Sequence, residues 1–276
     1  MHENTPPVAA SSGALSRQAR GVGGTQSIQR SIDVLRAIAG SADERGARII
    51  DLCDAMALER PTMHRILACL EHNGMVARGS DPRRYVLGPT VMHLGLAATR
   101  HFDVRDVCAP SLIRLAEQTG DTVFLTIRSG VEGITAARYE GHFPVKALAL
   151  GVGASRPLAV GAGGMAILST LPEDDIERVL EGSAERWPRF MDLSKAALMK
   201  LLAGAKRDGH AINRGHVMPE VTAIGMPIRN RSGVAIGAIS IAAIVSRMSE
   251  PRIAECAELM RTEIQRIEAQ LVAEAC

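Results

Sequence analysis

Between Arg48 and Gly88 the apolar positions recur first at intervals of three and four residues, then at alternate ones. Ile49, Leu52, Cys53 and Met56 share one helical face, and Met63, Ile66, Leu67 and Leu70 share another. Leu58-Glu59-Arg60 separates the two runs, and Pro61 suits the first turn of a helix, where its missing N–H is not needed. Asn73-Gly74 stops the second helix, because both residues tolerate left-handed backbone. Met75-Val76-Ala77-Arg78 and Arg84-Tyr85-Val86-Leu87-Gly88 then form a two-stranded wing across a polar turn. Upstream, Ile28, Ile32, Leu35 and Ile38 mark the buried stripe of a first helix over 27–40, with Ser27 as its N-cap. Downstream, Pro89 opens a helix over 89–101 that follows the wing with no flexible spacer, so it reads as a semi-rigid linker.

From Asp103 the pattern changes to helices alternating with strand pairs. Val104, Val107, Leu112, Leu115 and Ala116 lie on a helix that ends near Thr119-Gly120. Thr122 to Arg128 is a strand, with Gly133 to Tyr139 as its hairpin partner across Ser129-Gly130, and Val145 to Leu150 is a third strand candidate. Helices follow over Gly161 to Thr170, Glu173 to Leu180 and Ser194 to Asp208. Thr222 to Arg229 and Val234 to Ala243 are strands joined by Asn230-Arg231-Ser232-Gly233, and Pro251 to Ala273 is a long closing helix. Hairpin strands with helices around them imply an α+β domain on an antiparallel sheet.

Composition narrows the class. The 276 residues suffice for two domains, and aromatic residues are only 3%, so the cores are built from Ala, Val, Ile, Leu and Met. A net charge of +2 draws nothing to nucleic acid globally, so any DNA affinity must come from a local patch. Five widely spaced cysteines with no Cys-x-x-Cys argue against disulfides and zinc and for a reduced, cytoplasmic setting. His93 and His101 stand too far apart, with no carboxylate beside them, for a metal pair. No apolar run of membrane-spanning length and no signal-peptide pattern occurs, so no membrane partner is expected. Residues 1–25 are rich in Ala, Gly, Ser and Pro and read as a disordered tail, whose Arg17 and Arg20, with Arg30 beyond it, can brush a DNA backbone.

Two constellations carry chemistry. The apolar stripe of the second motif helix leaves Pro61, Thr62, Arg65, Ala68 and Cys69 on its other side, a small, polar and cationic face fit for the major groove. Arg83 and Arg84 at the hairpin tip stand beside Arg78, in reach of phosphates or the minor groove. In the second domain Gly161-Ala162-Gly163-Gly164 opens a helix whose free N–H groups suit a carboxylate; no Gly-Lys-Ser/Thr follows, so it is not a phosphate loop. Arg156 can pair with an acidic ligand, and Asn213 and the Ser240 hydroxyl can donate and accept. No catalytic constellation occurs, and Asp174-Asp175 merely suits a helix N-terminus. The alternative to a regulator is an enzyme that holds a small anionic substrate at Gly161–Gly164, and a third reading is an adaptor built on a winged helix.

Arg48-Ile49-Ile50-Asp51-Leu52, Pro61 through Leu70, and Tyr85-Val86-Leu87-Gly88 resemble the winged helix-turn-helix of the IclR family of bacterial transcription regulators. Gly151 through Ala166, Asn213 with Gly215, Pro219 through Pro227, and Ala238-Ile239-Ser240-Ile241 resemble that family's ligand-sensing half, so the likeness covers roughly residues 25–270. There are departures: Pro61 replaces a usual Ser, Met63 a usual Val, Ala159 a usual His, Gly164-Met165 a usual Gly-Lys pair, and Glu220 a usual Gly. The resemblance implies an α+β protein with a winged helix-turn-helix over 26–88, a linker helix over 89–102 and a GAF/PAS-like effector-binding domain over 103–276. It implies a double-stranded DNA operator, a small-molecule effector, a homodimer or dimer of dimers, no cofactor and no metal. On this sequence the implied DNA-binding residues are Arg60, Thr62, His64, Arg65, Arg78, Arg83, Arg84 and Tyr85. The implied ligand-binding residues are Leu148, Gly161, Ala162, Gly163, Asn213, Ala223, Ser240 and Ala242.

Overall fold

The computed structural model describes residues 25–41, 43, 45–99, 104–147, 151–187, 190 and 193–274. Two compact units divide the chain, Met1–His101 and Phe102–Cys276.

In the first unit, helices α1 (Gln26–Ala39), α2 (Ile49–Met56) and α3 (Arg60–His72) pack on a small sheet of β1 (Ala47–Arg48), β2 (Val76–Arg78) and β3 (Arg84–Leu87). Met63, Leu67 and Leu70 of α3 close on Leu52 and Cys53 of α2 and on Val34 and Ile38 of α1, the i, i+3/i+4 stripes expected of amphipathic helices. Three expectations need correction here. Ile28 and Ile32 are exposed, at 59% and 39%, because only the C-terminal half of α1 is buried. Ser27 lies inside α1 rather than capping it. The wing has three strands, since Ala47 and Arg48 pair with Tyr85 and Arg84 in the order β1-β3-β2. The turn between α2 and α3 is set by Ala57 in the left-handed region (φ 49°), and α3 is stopped by Gly74 (φ 67°), with Asn73 keeping a negative φ. Helix α4 (Pro89–Thr99) follows β3 after Gly88 alone.

The second unit is a six-stranded antiparallel sheet in the order β6-β5-β4-β9-β8-β7. Its strands are β4 (Thr122–Ser129), β5 (Glu132–Glu140), β6 (Ser155–Pro157), β7 (Ala211–Arg214), β8 (Val221–Arg229) and β9 (Ala235–Ile244). Alternation along the strands divides the residues between two faces. Val123, Leu125, Ile224, Met226, Ile228, Ile239 and Ile241 bury one face under α5 (Val104–Thr119) and α9 (Glu250–Glu274). The opposite face meets α6 (Ala162–Leu168), and α6 packs with α7 (Glu173–Gly182) and α8 (Lys195–Asp208) in a second core around Leu168, Val179, Leu180 and Leu198. Residues 145–147 form no strand, and the rest of that expected strand lies outside the described residues. Strands β1, β6 and β7 went unread in the sequence.

Buried charge joins the layers of the second unit. Glu263 on α9, 2% exposed, takes a two-pronged ion pair from Arg114 on α5 and another from Arg266. Asp121, also buried, holds Arg247 and Arg252, so the end of α5 and the start of α9 are tied to one carboxylate. Among the described residues no helix is long and apolar enough to cross a membrane, and no cluster of His, Cys, Asp or Glu is placed to hold a metal.

Candidate functional site

The first site is the outer face of α3. Because Met63, Leu67 and Leu70 turn inward, Arg60, His64, Arg65, Ala68 and Cys69 are left exposed and Thr62 half-exposed. Among the described residues of the first unit, nothing covers Arg65 or His64. Among the described residues, the side chains of Arg60, Arg65 and Arg83 make no ion pair or hydrogen bond, so three cations stand ready for an anionic partner. The wing is less available than the sequence implied. Arg84 is 13% exposed and turned inward: its Nη1 donates to the Gly46 carbonyl (2.7 Å) and pairs with Asp43 (2.8 Å), and its Nε lies 3.7 Å from Asp81. It pins the loop before β1 to the wing and is not a free phosphate contact. Tyr85 is also withdrawn, at 2% exposure, because its ring belongs to the core of the unit. Arg78 is exposed but committed, stacked 4.2 Å over the Tyr85 ring while bonding Glu71 and the Pro82 carbonyl. Only Arg83 projects from the tip, its backbone N–H held by Asp81.

Electrostatics around the loop follow the same wiring. Hydrogen bonds from the Arg45 side chain and backbone hold the Asp43 carboxyl down to about 2, with Arg84 adding a smaller pull.

The second site is a cleft of about 600 Å³, counting the space open to solvent, between the sheet and the start of α6. Its floor is the face opposite α5 and α9: Phe124 and Thr126 of β4, Gly133 and Thr135 of β5, Asn213 of β7, Ala223 of β8, and Ser240 and Ala242 of β9. Register explains their convergence. Phe124 faces Ser240, Thr126 faces Thr135, and Ala223 lies between Ala242 and Asn213. Arg156 of β6, Val160 through Gly164 and Val217 form the rim and roof.

Glycines shape this roof. A Cβ on Gly225 of β8 would stand 2.4 Å from the Ala162 carbonyl oxygen, so the bare strand lets α6 settle onto the sheet. Gly161 takes φ 88°, open to glycine at little cost, and a Cβ there would lie 3.2 Å from Nη1 of Arg156. Burial holds the Arg156 guanidinium down to about 10, which still leaves it cationic at neutral pH. With α6 only seven residues long, this cation outweighs the helix end as the attraction for an anion.

Of the residues expected to bind a ligand, Gly161, Ala162, Gly163, Asn213, Ala223, Ser240 and Ala242 all line the cleft, and Leu148 lies outside the described residues. Phe124, Thr126, Thr135 and Val217 were missed. The sequence holds a signal for one of them: in Val123-Phe124-Leu125-Thr126-Ile127 the large apolar Phe124 breaks the apolar/polar alternation, which marks a strand covered on both faces.

Comparison with known proteins agrees with both units. A family model described as the IclR helix-turn-helix domain matches residues 27–80, and one for the bacterial transcriptional regulator IclR C-terminal domain matches residues 96–269. The HTH-type transcriptional regulator XynR of Escherichia coli is 26% identical over 239 residues, covering 86% of this chain and 93% of that protein. The HTH-type transcriptional regulator BhcR of Paracoccus denitrificans is 28% identical over 234 residues, covering 84% of this chain and 82% of its own. A solved IclR homologue from Microbacterium hydrocarbonoxydans, complexed with 4-hydroxybenzoate, aligns with a TM-score of 0.71 at 25% identity, covering 90% of this chain and 99% of its own. The regulator from Alicyclobacillus acidocaldarius shares the fold, with a TM-score of 0.72 at 22% identity over 89% of this chain and 98% of its own. With one model matching its DNA-reading head and another its ligand-sensing half, the chain belongs to the IclR family of bacterial transcriptional regulators, which are not enzymes.

Proposed function

We propose that the protein binds a near-palindromic operator as a homodimer or dimer of dimers and senses a small metabolite bearing a carboxylate. The observation that carries the DNA reading is the uncovered face of α3, with Arg60, Arg65 and Arg83 uncommitted around it. Thr62 suits a thymine methyl or a phosphate, and Arg65 suits guanine or a phosphate. Two-fold pairing of such heads calls for a matching two-fold operator. The exposed apolar side chains Met92, Leu94 and Leu96 of α4 and Ile28 and Ile32 of α1 support a second copy as partner, because isolated heads gain little from displaying them to water. Arg156 beside the cleft supports an acidic effector, as does the solved relative that holds 4-hydroxybenzoate. Such a ligand works by binding one arrangement of the heads more tightly than another, since only differential affinity shifts the equilibrium. On this reading the protein works in the cytoplasm, beside the DNA it reads.

Fluorescence anisotropy with the promoter of its own gene tests the reading. Binding should be far tighter than to random DNA and should fall with salt at a log–log slope of roughly −0.9 per neutralised phosphate. Arg65→Ala should cost roughly 1–3 kcal/mol and relax preference at one base pair. Equal affinity for every sequence tested, in the wild type, sinks the proposal.

A further inference from the structure

One planar group ties three parts of the first unit together. Arg78 of β2 stands opposite Tyr85 of β3, so both side chains leave the same face of the wing. The Tyr85 ring is a fixed plate, because it is buried in the core of the unit. The Arg78 guanidinium lies over that ring, 4.2 Å from its centre. Its rigid fork then sends donors two ways. Nε donates to Oε1 of Glu71 at 3.1 Å, on the last turn of α3, and Nη1 donates to the Pro82 carbonyl at 3.0 Å, in the wing turn. The other side of the same peptide unit is also held, since the Arg83 N–H donates to Oδ1 of Asp81 at 2.9 Å. The planar peptide before Arg83 is thus pinned at both its oxygen and its hydrogen. With side chains 37% and 46% exposed, the pair of Glu71 and Arg78 adds little to stability. What these contacts fix is the geometry of the wing turn.

Resting on the reading of α3 and the wing as the DNA-binding surface, we infer that Glu71 and Arg78 are positioning residues: they clamp the wing turn to the end of α3, so that Arg83 meets a phosphate at a set distance from the base that Arg65 reads. Arg78 then acts through Arg83 and is not itself a phosphate contact. The Glu71 carboxylate and the Pro82 carbonyl take two of its donor atoms, and the carboxylate beside it repels phosphate. A loose wing has to be ordered on binding, and ordering one long side chain with its turn costs about threefold to tenfold in affinity. The clamp moves that ordering into folding. The two roles for Arg78 differ in sign at Glu71. Were Arg78 a phosphate contact, removing the carboxylate would free the cation and strengthen binding to any DNA. Under the clamp, the same change weakens binding.

The test is fluorescence anisotropy of the full chain with a duplex from the promoter of its own gene and with a random-sequence duplex, at several salt concentrations. Glu71→Ala should weaken promoter binding about threefold to tenfold, although it removes a negative charge beside the DNA-binding surface. Arg78→Lys keeps the charge and loses the fork, so it should do the same with the salt slope unchanged. Both effects should vanish in an Arg83→Ala background, where the clamp has nothing left to present. In the free protein, amide exchange at Arg83 should be faster in both variants. Promoter binding by Glu71→Ala as tight as the wild type or tighter, or wild-type binding by Arg78→Lys, overturns the clamp and returns Arg78 to phosphate. An equal loss with and without Arg83, or a large drop in melting temperature, overturns positioning in favour of a merely structural role. Unchanged exchange at Arg83 overturns the clamp without any reference to DNA. Failure of the regulator reading looks different: the wild type then shows no preference for the promoter over random DNA, while exchange at Arg83 still responds to Glu71→Ala.

Discussion

Arg83 and Arg84 are neighbours at one hairpin, and they should behave oppositely when truncated. Arg84→Ala removes a guanidinium that is 13% exposed and bonds the Gly46 carbonyl at 2.7 Å. A hydrogen bond to a charged group contributes about 1.5–3 kcal/mol, and the ion pairs with the half-exposed carboxylates of Asp43 and Asp81 add little in water. The expected loss is therefore about 1.5–3 kcal/mol, centred on the loop before β1 and on β3. Arg83→Ala removes an exposed side chain with no described partner and should change stability by less than about 0.5 kcal/mol. Its effect should fall on DNA: weaker binding on all sequences and a salt slope shallower by about 0.9. Amide hydrogen exchange across Gly46, Arg48 and Tyr85 reads the first effect, and anisotropy titrations at several salt concentrations read the second. If Arg84→Ala leaves exchange at β3 unchanged and flattens the salt slope as Arg83→Ala does, the inward pin is wrong and the arginine works on phosphate after all.

Three further outcomes follow from the geometry. Gly225→Ala puts a methyl 2.4 Å from the Ala162 carbonyl oxygen, so α6 must lift from the sheet; overpacking of this kind costs roughly 1–3 kcal/mol, and a denaturant melt together with loss of ligand response in calorimetry checks it. Glu263→Ala strands Arg114 and Arg266, but both are over a third exposed and can rehydrate, so the cost in a urea melt should fall below the roughly 3–5 kcal/mol of a fully buried pair. The Asp43 carboxyl is depressed from 3.8 to about 2, so its contribution to the first unit is complete above pH 4 and lost as pH falls through about 2; an NMR titration of its side chain should show that midpoint, and Arg45→Ala should move it up towards 4.

The helix-turn-helix was legible because one physical rule wrote it. Met63, Leu67 and Leu70 must face inward, and a helix of fixed pitch then dictates that Arg65 and Cys69 face out. The wing was harder because arginine has two uses that composition does not separate. Arg78, Arg83 and Arg84 look alike in sequence, yet Arg78 stacks on Tyr85, Arg84 reaches a carbonyl 38 residues away in the chain, and only Arg83 is free of such ties among the described residues. Tyr85 misled for a related reason. Its hydroxyl suggests a surface role, but at a central strand between β1 and β2 its ring is the largest apolar body available to close a small core.

The cleft divides along the same line. Its glycine turn was readable because backbone demand is local: Gly161 needs φ 88° whatever the rest of the chain does. Its floor was not, because the residues that meet there are set by register between strands far apart in sequence. Asn213 reaches the floor only through Ala223, and Ala223 only through Ala242. The edge strands β6 and β7 have three and four residues each, too few for alternation to stand out, and one of them carries Arg156 and the other Asn213. On the proposed reading of the cleft, two of its polar lining residues thus sit on the elements with the weakest sequence signal. Strong hydrophobic periodicity fixes the common frame of sheet and helices, while short edge strands are free to change their polar side chains without disturbing the core, which is where a sensor can alter its ligand and keep its fold.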